Sequence, residues 1–113
     1  MLPLQLDFLR HILSECEFIM QAVENKSRDQ IISDPLLSRA LIRSLEVIGE
    51  ATKKLPEELK TKYIQVDWKL MSKMRDRLIH HYFGIDYDIV YDTIRVDIPE
   101  LKTELERIIL LES

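Results

Sequence analysis

Apolar residues recur along this chain at helical spacing. Leu9, Ile12, Leu13, Cys16, Ile19, Met20 and Val23 fall at i, i+3, i+4, i+7 and predict a helix from about Pro3 to Val23. Pro3 suits its first turn. The stretch "ENKSRDQ" then reads as a polar connection. Asp34-Pro35 is a capping side chain followed by a first-turn proline, and it starts a second helix that runs to about Lys54. Leu37, Leu41, Ser44, Ile48, Ala51 and Leu55 form its inner stripe. Arg39, Arg43, Glu46, Glu50 and Lys53 form a second, charged stripe. Gly49 inside this helix costs about 1 kcal/mol relative to alanine, which implies close approach of another backbone.

Leu55-Pro56 ends the second helix, and "PEELKTKY" reads as a short helical turn. Asp67 predicts the start of a third long helix, with Trp68, Leu70, Met71, Met74, Leu78 and Ile79 on its apolar side and Gly84 as its C-terminal stop. Asp86 or Asp88 caps the next segment, "YDIVYDTIRVD", and Pro99 restarts a last helix whose inner face is Leu101, Leu105, Ile108 and Ile109. No repeat or low-complexity tract interrupts the pattern. The expectation is an all-α fold, a four- to five-helix antiparallel bundle in a single domain spanning 1–113.

The two glycines, four prolines and abundant leucine, isoleucine, glutamate and lysine fit that reading. A net charge of −4 argues against coating nucleic acid by bulk charge. A local basic patch survives, because Lys69, Lys73, Arg75 and Arg77 face only Asp76 within the same run. The single Cys16 excludes an internal disulfide and any CxxC metal site, and its place on the first apolar stripe makes it a small core residue. No segment is long and apolar enough to span a membrane, and the N-terminus lacks the features of a signal peptide, so the expected location is cytoplasmic.

The chemistry concentrates in "RDRLIHHYFG", residues 75–84. Arg75, His80 and Tyr82 follow the pattern R-x4-H-x-Y. Histidine moves protons near neutral pH, arginine presents a planar fork of donors to phosphate oxygens, and tyrosine hydrogen-bonds or stacks a base. On a regular helix Arg75 and Tyr82 share a face, whereas His80 lies about 140° around from Arg75. Two resolutions follow: the helix loosens towards Gly84, or a second subunit completes the site across a two-fold axis.

At these residues the chain resembles the HEPN superfamily of ribonucleases. "LEVIGEATKKLP" at 45–56, "VDWKLMSKMRDRLIHHYFGID" at 66–86 and "DIPEL" at 97–101 are similar to its HepT-like branch, the toxins paired with MntA-like minimal nucleotidyltransferase antitoxins. The resemblance covers the chain from "LRHIL" onward. It implies a HEPN-like homodimer with its cleft at the two-fold interface. It implies metal-independent RNA cleavage through 2′-hydroxyl attack, on tRNA or mRNA, in a type VII-like toxin–antitoxin pair, with no cofactor.

Carried over residue by residue, Arg75 and His80 match the catalytic pair, and Tyr82 matches the tyrosine that the partner nucleotidyltransferase modifies with AMP. The family's acidic position maps onto Glu50 or Glu46. Relatives commonly carry glutamate between the histidine and the tyrosine, where this chain has His81. Arg43, Glu46, Glu50, Arg77 and His81 are the candidate cleft-lining residues.

Blander readings stand beside these. His80 alone is also a suitable helix-capping histidine. The stripe of Arg39, Arg43, Glu46 and Glu50 is equally a solvated face with i,i+4 pairs. His11 reads as structural or exposed, Trp68 as a core anchor, and Tyr87 and Tyr91 as packing residues. Adjacent histidines rarely share one metal ion, and neither His-x3-His nor HExxH occurs. The alternative function is a catalytically inactive helical module that binds a nucleotidyltransferase partner or RNA. A nucleotide-binding regulator would need a glycine-rich phosphate loop, which is absent from the sequence.

Overall fold

The first apolar stripe is realised as α1, Pro3–Ala22, which buries Leu9, Ile12, Cys16 and Ile19. The computed structural model describes residues 3–80 and 84–113, with His80 through its backbone alone. The connection after α1 is not featureless. Ser27 builds a capping box, accepting from the Gln30 N–H at 3.1 Å while its own N–H donates to Gln30 Oε1 at 2.8 Å. That reciprocal cap starts a one-turn α2, Arg28–Ile32, where a polar linker was expected.

The second long helix, α3, spans Pro35–Lys53. The Asp34 side chain accepts from the N–H groups of Leu36 and Leu37 at 3.0 and 3.1 Å. Leu41, Leu45 and Ile48 are fully buried on its inner face. Gly49 explains itself: a Cβ there would sit 3.2 Å from the Met71 carbonyl oxygen and 3.2 Å from Met74 Cβ. The short α4, Glu57–Lys62, follows Pro56.

The expected third long helix is interrupted. Asp67 caps α5, Trp68–Ser72, by accepting from the Leu70 N–H at 2.9 Å. Lys73 then leaves helical geometry at φ −100°, ψ 15°, and α6 occupies only Met74–Leu78. The interruption sits where the segment presses on α3 at Gly49. The helix therefore stops at Leu78, well before Gly84. Ile79–His80 (β1) runs extended and pairs antiparallel with Gly84–Ile85 (β2), in the register Ile79 to Ile85 and His80 to Gly84. Gly84, at φ 76°, supplies a left-handed residue at the head of β2 rather than a helix stop.

Asp86 caps α7, Tyr87–Asp92, by accepting from the Ile89 N–H at 3.1 Å. No break follows. A π-helical turn, Thr93–Asp97, carries the backbone directly into α8, Ile98–Glu112. Pro99 removes one backbone donor and crowds the preceding turn, and the widened π turn absorbs that insult without ending the helix.

The fold is all-α. Its frame is α1 lying against both α3 and α8, with α5 and α6 packed on the other side of α3. Met74, Leu78, Ile94, Ile98 and Leu105 join the α1 and α3 stripes in one continuous core. Trp68 is the core anchor the sequence suggested, with its indole N–H donating to the Tyr63 carbonyl at 2.9 Å. Burial pushes the Cys16 thiol up to about 12, so it is inert packing. His11 is exposed. Among the described residues no helix is long and apolar enough to cross a membrane.

Candidate active site

The candidate site is built where α6 gives way to β1, against the charged stripe of α3. Packing fixes α6: Met74 and Leu78 are fully buried, so Arg75, between them, is turned outward. Its side chain is 67% exposed and its Nε lies 3.9 Å from Glu46 Oε2. Glu46 belongs to the charged stripe of α3 and keeps only 25% of its side-chain surface exposed. The contact is long for a hydrogen bond, so it orients the guanidinium electrostatically while leaving its donors free for an anion.

The two candidate glutamates are placed differently. Glu46 is the carboxylate brought to Arg75, whereas Glu50 pairs with Lys53 at 3.2 Å. Arg43, one turn before Glu46, is exposed and has no ion-pair or hydrogen-bond partner among the described residues. Arg77 goes elsewhere. Two residues along α6 from Arg75, it is rotated by about 200° and reaches Asp97 at the end of the π turn, Nη1 to Oδ2 3.8 Å. Nη1 is buried and makes no hydrogen bond among the described residues. Asp97 is pushed above the usual carboxylate range, chiefly by burial, with Arg77 opposing the shift.

The backbone also answers how one chain escapes the 140° offset between Arg75 and His80. His80 is not on the helix. It lies in an extended pair two residues past the end of α6. The Asp86 N–H fastens that pair by donating to the Leu78 carbonyl at 2.8 Å. The His80 side chain, His81 and Tyr82 lie outside the described residues.

Tyr91 packs against the core and carries Arg95 and Arg28 over its ring at 5.3 and 5.9 Å, a cation–π staple between α2, α7 and the π turn. Among the described residues no group of three His, Cys, Asp or Glu side chains is placed to hold a metal ion. The pairing of Arg77 with Asp97 leaves no signal in the sequence pattern. Asp97 drew attention only as part of "DIPEL", and the 20-residue separation carries no periodic signal.

Comparison with known proteins bears on this geometry. Residues 12–108 match the family described as "Ribonuclease HepT-like". A protein of Caldanaerobacter subterraneus subsp. tengcongensis named "Putative RNase" is 48% identical over 106 residues, which is 94% of this chain and 95% of that protein. A "Putative RNase" of Methanocaldococcus jannaschii is 46% identical over 102 residues, 90% of this chain and 84% of its own. The "Probable ribonuclease HepT" of Thermococcus cleftensis is 36% identical over 102 residues, 90% of this chain and 93% of its own. No solved structure matches the chain.

Proposed function

The chain belongs to the HepT-like ribonuclease family, and from that premise we propose how its RNA-cleaving chemistry is assigned to residues. The 2′-oxygen of the substrate attacks the adjacent phosphorus while its proton passes to a base. The bond from phosphorus to the 5′-oxygen breaks, and that oxygen takes a proton from an acid. His80 serves as that acid or base. Arg75 binds the non-bridging oxygens and stabilises the extra charge of the five-coordinate transition state. The nucleophile belongs to the substrate, so neither a metal ion nor a cofactor is needed, and the product ends in a cyclic or 3′-phosphate. The observation that carries this reading is the exposed Arg75 guanidinium, held loosely by the half-buried Glu46 and not locked in a buried ion pair.

Regulation follows from the position of Tyr82 in the same motif. In this reading the protein is the toxin of a cytoplasmic toxin–antitoxin pair and works as a homodimer. A nucleotidyltransferase partner moves AMP from ATP to the Tyr82 oxygen and releases pyrophosphate. The phosphate then pairs with Arg75 and occupies the place of the substrate.

The test is cleavage of total tRNA and of an unstructured RNA in EDTA, by the wild type beside His80→Ala and Arg75→Ala. Either variant should lose about 10²-fold or more of the activity while remaining folded. If the folded wild type leaves both RNAs intact, the protein is instead a silent module that binds RNA or a nucleotidyltransferase. Full activity of a protein shown by mass spectrometry to carry AMP on Tyr82 would overturn the regulatory half.

A further inference from the structure

Away from Arg75, a cavity of about 470 Å³ opens between the turn before α5 and the start of α8. Its floor is apolar, made by Val66, Leu70, Met71 and Leu101. Its rim is acidic, carrying Asp67, Asp97, Glu100 and Glu104, and no lysine or arginine lines it. Ile64, beside Gln65 in sequence, is 79% exposed, and Val96, beside Asp97 in sequence, is 54% exposed.

We propose that this groove is a docking site for a basic, amphipathic segment of a protein partner, with an apolar side chain on the floor and flanking lysines or arginines at the acidic rim. RNA is the wrong occupant, because four carboxylates would meet its phosphates. One rim acid is left over: Asp67 caps α5, Asp97 faces Arg77 and Glu104 is held by Gln65 and Arg107, whereas Glu100 has no hydrogen-bond or ion-pair partner among the described residues. Burial raises the Asp97 carboxyl above its ordinary value, Arg77 opposes that, and the charges of Glu100, Asp67 and Asp92 add to it. A cation in the groove would relieve that crowding.

The probe is a blocked hexapeptide of sequence Lys-Leu-Arg-Lys-Leu-Arg, titrated into the full-length protein and followed by backbone amide shifts. Saturable shifts are expected at Leu70, Leu101 and Thr103. Replacing both leucines by glycine, or reversing the rim with Glu100→Lys, should weaken binding about tenfold or more. The Glu100→Lys protein should cleave RNA like the wild type, since Glu100 is outside the catalytic motif.

The proposal fails if shifts do not saturate or scatter over other acidic surfaces. It fails if the glycine peptide binds equally well, which would mean charge attraction alone. It also fails if Glu100→Lys converts a sedimenting dimer to a monomer, because the groove would then face a second copy of this chain.

Discussion

Helix α3 and the segment from Trp68 to Ile85 have similar amphipathic sequences and opposite outcomes. The former is nineteen uninterrupted residues with a carboxylate cap and a proline start. The latter spends five residues on α5, slips at Lys73, spends five on α6 and ends in an extended pair. The regular helix supplies a fixed platform: a smooth wall for the core, Glu46 to orient Arg75, and Gly49 to admit a neighbouring backbone. The broken segment supplies freedom of placement. A continuous helix would hold Arg75 and His80 on different faces, and ending α6 at Leu78 removes that constraint. Regularity holds the fold here, and the interruption frees the placement of the proposed catalytic pair.

The sharpest way to break the comparison is one substitution in each region. Arg75→Ala in the broken segment removes an exposed side chain, so thermal unfolding should be unchanged while RNA cleavage falls about 10²–10³-fold. Ile48→Ala in the platform empties a fully buried site and should cost about 2–5 kcal/mol of stability, read by urea denaturation. If Ile48→Ala leaves stability intact, or Arg75→Ala unfolds the protein, the division of labour is wrong.

A smaller effect sharpens the contact between the regions. Glu46→Gln keeps the shape of the side chain and removes its charge, so Arg75 loses its orienting partner without losing its own donors. Cleavage should fall about tenfold, with no loss of fold. An unchanged rate would make Glu46 a bystander.

Gly49→Ala tests the platform from below. Alanine gains up to about 1 kcal/mol of helix propensity, but its Cβ meets a backbone oxygen and the rigid Cβ of fully buried Met74, both at 3.2 Å. Neither neighbour is a flexible tip, so overpacking of about 1–3 kcal/mol should win and leave the protein less stable by about 1 kcal/mol. A more stable variant would show that α5 and α6 yield freely.

How much of this was legible in the sequence varied with the physics of each element. The three long helices were legible because burial and periodicity agree in each, and in α3 capping agrees too: Asp34-Pro35 opens α3, and the stripes of α1 and α8 face one core. The close approach at Gly49 was legible because a helical glycine needs a reason. The break at Lys73 was not, since residues 68, 71, 74 and 78 keep helical spacing and no glycine or proline interrupts them. The cause is tertiary, the pressure of the segment against α3. Pro99 misled in the other direction, because periodicity cannot register a π turn that carries a helix past a proline. At the candidate site, the resemblance mapped an acidic position onto Glu50 or Glu46, and it took packing to show that Glu46 is the one beside Arg75. The pairing of Arg77 with Asp97 depends on how α6 meets the π turn, and local pattern does not encode it.

The smallest effect compares the two carboxylates that bracket α8. Glu112, at its end, is held below its ordinary value of 4.5 by hydrogen bonds from Lys62 at 2.7 Å and from the Tyr63 hydroxyl at 2.5 Å. The unfolded chain binds that proton more readily, so the stability from Glu112 is present above about pH 4.5 and is lost as pH falls through the lower folded value. Asp97, just before α8, is raised above its ordinary 3.8 by burial. The folded chain now holds the proton more tightly, so a cost is absent below pH 3.8 and appears as pH rises through the folded value. Urea denaturation from pH 3 to 7 should therefore show opposite changes of slope. Glu112→Gln should flatten the rise of stability with pH. Asp97→Asn should steepen it, whatever constant offset follows from leaving Arg77 without its carboxylate. Slopes that change in the same direction would mean that the two ends of α8 do not differ in the way their surroundings dictate.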